Sequence, residues 1–328
     1  MKDDKTLTIV IPSYNVSKYL PEILPTYFVP AILKDLEILI VNDGSKDNTA
    51  DIAETFAEKY PDTITVINKE NGGHGSTINT WINNAHGKYF KVIDGDDWVD
   101  SANLAEFISK LKLYDADIVL NSFTRVMEGT GEKEVKRIQG LKQGFVYPFL
   151  DILPVIRDSY AMHGTTFLTE QFKKAEKIDE HCFYVDQEYL LYPIPYLRSA
   201  IYFDIPVYQY RVGSSEQSMS LKNMQKNRSM HERVIFSLLG MLPLKNSCDS
   251  HLEEFILYRI EKMCQLQIDI LFSLEDRATA KKELTEFFTK IKTKNEKVYR
   301  NIPGKKAKIL RKFGMKSFDL IRILKTGK

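Results

Sequence analysis

Three polar clusters, each set directly behind a short apolar run, constrain this chain more than any other feature. Ser13-Tyr14-Asn15 follows the run at 7–11 and Pro12, Asn42-Asp43-Gly44-Ser45 follows the run at 36–41, and Asp94-Gly95-Asp96-Asp97 follows the run at 89–93. Runs of this length, rich in β-branched residues, read as buried strands. A further strand is expected at 64–67 and a fifth at 118–120. Between them lie helical signals. Residues 17–34 have helical spacing broken by Pro21, Pro25 and Pro30. Asp47-Asn48 caps a helix that runs to about 60 and is stopped by Pro61, 76–85 is a helix closed by Gly87, and 101–113 is another. Strands alternating with helices predict an α/β fold, a Rossmann-like, mostly parallel sheet with helices on both faces. Ligands of such sheets bind at the carboxyl ends of the strands, where all three clusters fall.

Composition narrows the class. A chain of 328 residues with 43% hydrophobic and 11% aromatic residues builds a large core and is not disordered. The formal charge is +2, which gives no bias toward nucleic acid. The balance is uneven, because residues 292–328 carry thirteen Lys/Arg against two Asp/Glu and leave the rest near −9. Cys182, Cys248 and Cys264 are distant and odd in number, so no disulfide framework or metal pair is read from them. With neither a signal-peptide pattern nor a spanning apolar run, the expectation is a cytoplasmic protein with reduced thiols, possible contact with the inner membrane face being left open.

Past residue 121 the pattern loosens. Residues 128–144 read as a hairpin or mobile loop, 183–192 as a helix, 200–212 as two short strands around Pro206, and 221–291 as helical throughout. The expected division is a catalytic domain over 1–220, with halves 1–121 and 122–220, a helical C-terminal segment over 221–300 and a basic amphipathic tail over 301–328.

Three carboxylates in the four residues 94–97 repel one another, and a hard divalent cation, Mg²⁺ or Mn²⁺, neutralises such a set. Gly95 lets backbone and a bulky ligand approach. The competing reading is an acidic turn that caps the helix at 101–113. Asp43 either accepts hydrogen bonds from a nucleobase or ribose or serves an Asx-type turn into the next helix.

Together these stretches resemble glycosyltransferase family 2, whose members adopt the GT-A fold. The resemblance is carried by residues 10–15, by 41–45 with Asp47 and Thr49, by Asn71-Gly72-Gly73, by Gly87-Lys88-Tyr89 and by 93–97, in the family's order and spacing. It implies that Pro12, Tyr14 and Asp43 line the base and ribose pocket, that Asn15 and Gly73 belong to the donor site, that Asp94 touches ribose and donor sugar, and that Asp96, with Asp94, ligates the metal. One departure stands out. Ile78 occupies the place of the family's usual Arg, and Trp81 that of a Gly. His74 and the N–H groups of Gly75, Ser76 and Thr77 are then either the phosphate and sugar contacts or polar loop groups.

The resemblance extends to 183–189, where Asp186 matches the family's catalytic base and Val185 replaces its Glu. Glu188 is the second candidate. Both acids also suit a helix N-terminus. Arg211, Gln217 and Ser218 are candidates for diphosphate or acceptor contacts, and His231 reads as a surface histidine of a helix in preference to a metal ligand. The tail suggests either peripheral membrane contact through 303–328 or packing on the body or on a second copy in a homo-oligomer. The implied activity is transfer of a hexose from a UDP-sugar, of glucose or galactose type, to a hydroxyl of a glycan, lipid-linked or protein-linked acceptor, metal-assisted and with inversion. The alternatives are a nucleotidyltransferase, which the Pro-Ser-Tyr-Asn turn disfavours, and an inactive scaffold; a dinucleotide oxidoreductase lacks its GxGxxG.

Overall fold

The computed structural model describes residues 5–82, 84–213, 217–244 and 249–326. It divides into two compact units, Met1–Ser214 and Ser215–Lys328. The boundary lies a few residues before the expected 220, and residues 301–328 belong to the second unit.

The first unit is built on one ten-stranded sheet. Its strands are β1 (Leu7–Ser13), β2 (Leu36–Asn42), β3 (Ile64–Asn68), β4 (Tyr89–Val92), β5 (Trp98–Val99), β6 (Ile118–Met127), β7 (Lys133–Lys136), β8 (Val146–Pro148), β9 (Thr165–Leu168) and β10 (Ser199–Val212). The order is β3-β2-β1-β4-β9-β6-β10-β5, with β7 on β6 and β8 on β10. Strands β1 to β4 pair in parallel, as do β6 and β10. Antiparallel pairing enters through β5, β7, β8 and β9. Residues 128–144 contain the β6–β7 hairpin. The two short strands expected around Pro206 are one strand, β10, whose register on β6 shifts between Phe203 and Tyr208. Pro206 sits in that irregularity, where no ladder hydrogen bond is required of it.

The helices of this unit are α1 (Leu20–Ile23), α2 (Thr49–Lys59), α3 (His74–Trp81), α4 (Ser101–Leu111), α5 (Phe149–Ile156), α6 (Thr169–Phe172) and α7 (Asp186–Leu191). Prolines cut the 17–34 segment to α1 and a 3-10 turn, Leu24–Tyr27. Strand alternation sorts the core. Leu7, Ile9, Ile11, Ile38, Ile40 and Tyr89 face α1, α2 and α4 through Leu20, Ala53, Leu104 and Phe107. Phe90, one residue on, points to the opposite face. There Trp81 stacks on it at 4.0 Å, with Phe167, Phe172 and Tyr189 around it. Helices therefore cover both faces.

The second unit is helical: α8 (Leu221–Lys226), α9 (Arg228–Gly240), α10 (Ser250–Ser273), α11 (Arg277–Lys294), α12 (Glu296–Asn301), α13 (Lys305–Phe313) and α14 (Phe318–Thr326). His231 is 3% exposed, not a surface residue: its Nδ1 meets Gln267 Oε1 at 2.9 Å between α9 and α10. Cys182 and Cys264 are buried thiols, and Cys248 lies outside the described residues. No helix among the described residues is long and apolar enough to cross a membrane.

Candidate active site

Because β1, β2 and β4 run parallel, their carboxyl ends share one edge of the sheet and bring the three polar clusters together. Gly95 is required there: a Cβ on it would meet Pro12 O at 2.8 Å. Pro12 is buried, Tyr14 stands 49% exposed on the rim, and Asn15 adopts φ +54°. Asn15 laces the two loops, donating its N–H to Ser45 Oγ and accepting Lys46 N–H at 2.8 Å.

Asp43 is 2% exposed. Its Oδ1 accepts from Lys69 Nζ at 2.9 Å and from Gly72 N at 2.8 Å, and its Oδ2 accepts from Gly73 N at 2.8 Å. A carboxylate has about four acceptor sites, so Asp43 anchors the 69–73 loop and keeps capacity on Oδ2 for a ligand. Lys69, which carries no signal of its own in the sequence, is the counter-charge that offsets the cost of burying Asp43.

The acidic turn is braced from β10. Tyr208 Oη accepts Asp94 N–H at 3.1 Å, donates to Asp97 Oδ2 at 2.7 Å and lies 3.3 Å from Asp94 Oδ2. Arg211 N–H donates to Asp97 Oδ1 at 2.7 Å, and Arg211 Nε donates to Asp96 O at 3.0 Å. The Arg211 guanidinium lies between the rings of Tyr19 and Trp98, at 5.1 and 4.9 Å from their centroids. Arg211 therefore shapes the acidic turn. Gln217 and Ser218 fall in the second unit, where Gln217 O accepts from Asn223 Nδ2.

His74, at the start of α3, places Nε2 at 3.1 Å from Asp94 Oδ1. Burial disfavours its imidazolium, but the Asp94 hydrogen bond and the charges of Asp94, Asp186 and Asp43 outweigh that and raise its pKa. Asp94 is lowered in turn: burial opposes ionisation, and the His74 hydrogen bond and charge overcome it. Burial and the Asp94 charge push Asp96 up to about 6. Asp97 is raised well above the carboxylate range by burial and then by Asp96 and Asp94. The turn thus holds more negative charge than its surroundings stabilise, the condition a divalent cation relieves.

The side chains whose donor atoms converge are Asp94, Asp97 and His163, all within 4.8 Å of one another. This trio differs from the expected pair Asp94 and Asp96, because Tyr208 draws Asp97 toward Asp94. His163 lies in the turn Met162–Gly164, its ring 4.0 Å from that of Tyr210. Its Nδ1 is buried with no hydrogen-bond partner, and burial lowers its pKa to about 4, so the ring is neutral at neutral pH and able to ligate. Lys91, fully buried on β4, fixes this turn by donating to His163 O at 2.7 Å and Thr165 O at 3.1 Å. Hard carboxylate oxygens with one imidazole suit Mn²⁺ or Mg²⁺.

The departure at 78–81 has a packing cause. Ile78 and Trp81 are both 0% exposed and belong to the core. The opposite side of α3 clamps the segment that leads to α7. Asn79 Nδ2 donates to Ile178 O at 2.8 Å, and Asn79 Oδ1 accepts Ile178 N–H at 3.0 Å. Gly75 lies so close that a Cβ would meet Asp179 O at 2.1 Å. His181 and Tyr184, at φ +52° and +67°, then turn the chain into α7, backbone geometry that costs energy and sets the direction of that helix. Asp186 opens α7 partly exposed, near enough for its charge to act on His74 and Tyr210. Glu188, the second candidate base, is 0% exposed and accepts Asp179 N–H at 2.8 Å, which makes it an anchor of the same segment.

A family model described as Glycosyl transferase family 2 matches residues 8–177. Streptococcus pneumoniae glycosyltransferase GlyA is 35% identical over 129 residues, 39% of this chain and 18% of that protein. An uncharacterized glycosyltransferase of Rickettsia prowazekii is 32% identical over 207 residues, 60% of this chain and 61% of that protein. The chain thus covers less than two thirds of the curated relatives it matches. Among solved structures, S. aureus TarS 1–349 in complex with UDP-GlcNAc superposes with a TM-score of 0.66 at 16% identity, over 97% of this chain and 90% of that one. The mannosyltransferase PcManGT from Pyrobaculum calidifontis, in complex with GDP-Man and Mn²⁺, gives 0.53 at 15% identity, over 97% and 86%. These likenesses show the GT-A fold.

Proposed function

Because the chain belongs to glycosyltransferase family 2, we propose that it moves a hexose from a UDP-sugar to a hydroxyl of a glycan, lipid-linked or protein-linked acceptor, with inversion at the anomeric carbon. The observation that carries this reading is the meeting of the 94–97 carboxylates with His74 and Asp186 at one sheet edge. The UDP-GlcNAc named with TarS supports a uridine donor.

Tyr14 on the rim and the open capacity of Asp43 receive the nucleoside. Asp94 and Asp96, with Asp97 and His163 in reach, would hold Mn²⁺ or Mg²⁺, and the ion would supply charge to offset that on a leaving diphosphate. His74, whose pKa the Asp94 hydrogen bond and charge raise against burial, faces the same phosphate side and does the work that the family's Arg does elsewhere. Asp186 takes the proton from the acceptor hydroxyl as it attacks, a role that asks for a partly exposed, ionised carboxylate within hydrogen-bond reach. The braced turn and the clamped 178–186 segment set the two reactants at a fixed separation, which removes part of the entropic barrier.

The test is a panel of nucleotide sugars incubated with the protein in Mn²⁺ or EDTA, read as nucleotide release, with donor binding followed by thermal shift. Metal-dependent release from a UDP-hexose is expected. A protein that neither binds nor turns over any UDP-sugar in Mn²⁺ refutes the reading and leaves an inactive scaffold.

A further inference from the structure

The amphipathic tail does not have its whole apolar stripe to offer. In α13 and α14, Ala307, Leu310, Phe318 and Ile321 are buried within the second unit, and Phe318 stacks on Phe272 at 5.1 Å. Arg277 Nη2 pairs with Asp319 at 2.7 Å, Lys306 pairs with Asp269, and Arg311 Nη1 donates to Ile302 O at 2.8 Å. These contacts tie the tail to α10, α11 and the turn at Ile302.

What remains outside has a different character. Lys305, Lys308 and Lys312 succeed one another at spacings of three and four residues and so share the exposed face of α13, and Lys316 lies in the turn beyond it. Among the described residues these four make no ion pair. The two acids of the tail, Glu296 and Asp319, are already matched with Arg300 and Arg277. Phe313, next to Lys312, is 59% exposed, and Leu320 on α14 is 58% exposed. Lys312 Nζ lies 5.2 Å from the Phe313 ring centroid, so cation and apolar group are adjacent.

We propose that this edge, Lys305, Lys308, Lys312 and Lys316 with Phe313 and Leu320, docks the protein on an anionic lipid bilayer. The lysines match the headgroup charge, and the two bare side chains enter the headgroup–acyl boundary. A soluble polyanion would satisfy the lysines but leave Phe313 and Leu320 in water, so the pairing of the two kinds of group favours lipid. Docking is peripheral and shallow, because the deeper apolar side chains are already packed within the unit.

The experiment is flotation of the full chain with vesicles of phosphatidylcholine alone or mixed with phosphatidylglycerol, at low and high salt. Each basic residue at an anionic surface strengthens association by about fivefold, so K305Q/K308Q/K312Q/K316Q is expected to lose several hundredfold of binding. F313S/L320S is expected to weaken it separately, and the phosphatidylcholine vesicles to bind little. All the substituted residues are surface groups, so both variants keep the wild-type melting profile. Flotation of the wild type that is absent on anionic vesicles, or undiminished in the lysine variant, overturns the proposal. So does F313S/L320S binding as well as wild type while polyphosphate competes it off, which assigns the edge to a soluble polyanion.

Discussion

Arg211→Ala separates a brace from a donor contact. The guanidinium is enclosed, with 16% of the side chain exposed, so solvent screens its interactions little. It stacks on two rings, Tyr19 and Trp98, at about 0.5–1 kcal/mol for each face. Its Nε–H bond to the Asp96 carbonyl, from a charged donor, adds about 1.5–3 kcal/mol. The backbone N–H that holds Asp97 survives the substitution. The expected loss is therefore about 3–4 kcal/mol. In a unit of this size, 1 kcal/mol moves the midpoint by about 2–4 °C, so the first unit should melt about 10 °C lower. Arg211→Met keeps the stem and should lose about half as much. Removing the cation also removes an influence that lowers the Asp96 pKa, so Mn²⁺ titrations should show weaker, more pH-sensitive binding. The assay is calorimetry with and without Mn²⁺, alongside UDP titration. A melting point unchanged in both variants, with UDP affinity down about tenfold or more, refutes the brace and puts the guanidinium on the diphosphate.

Asp186→Asn should lower kcat by about 10²–10⁴ while UDP binding persists, as measured by nucleotide release and titration; wild-type turnover in that variant removes Asp186 as the base. Trp81→Ala should cost about 3–5 kcal/mol in urea unfolding, because a fully buried stacked ring leaves a cavity. Adding Mn²⁺ at about 100 times its Kd should raise first-unit stability by about 2.7 kcal/mol, and EDTA should abolish the gain. His231, buried beside Gln267, has its pKa lowered, first by burial. Its neutral ring is favoured in the folded state, so the unfolded chain protonates first as pH falls through about 6.5. Stability of the second unit should be full above that pH and decline below it, and His231→Gln should flatten the decline in a pH series of melting curves.

What the sequence disclosed and what it hid divide along a physical line. Strands β1 to β4 were legible because each is a short apolar run, and the acids behind them lie on one edge by the rule for parallel sheets. Asp186 was singled out through the resemblance of 183–189 to the family's motif, and it opens α7. Tyr208, His163 and Lys91 were not, because their roles come from pairings over long separations: Tyr208 reaches Asp97 across 111 residues and Lys91 reaches His163 across 72. A lysine inside the four-residue strand Tyr-Phe-Lys-Val was nonetheless a visible anomaly, since a central strand seldom buries one without a purpose. Arg211 was named with Gln217 and Ser218 as a candidate contact near the end of the last strand, but the aromatic slot that holds it comes from Tyr19 and Trp98, far off in the chain. Ile78 and Trp81 looked like losses from a binding motif and prove to be core residues.

The clamp at Asn79 limits how the two reactants can be handled. One amide both gives and takes a hydrogen bond at Ile178, so α3, which carries His74, and the segment that delivers Asp186 are geared together. A change at residue 79 would remove both bonds and free the helix of His74 and the segment of Asp186 to shift separately.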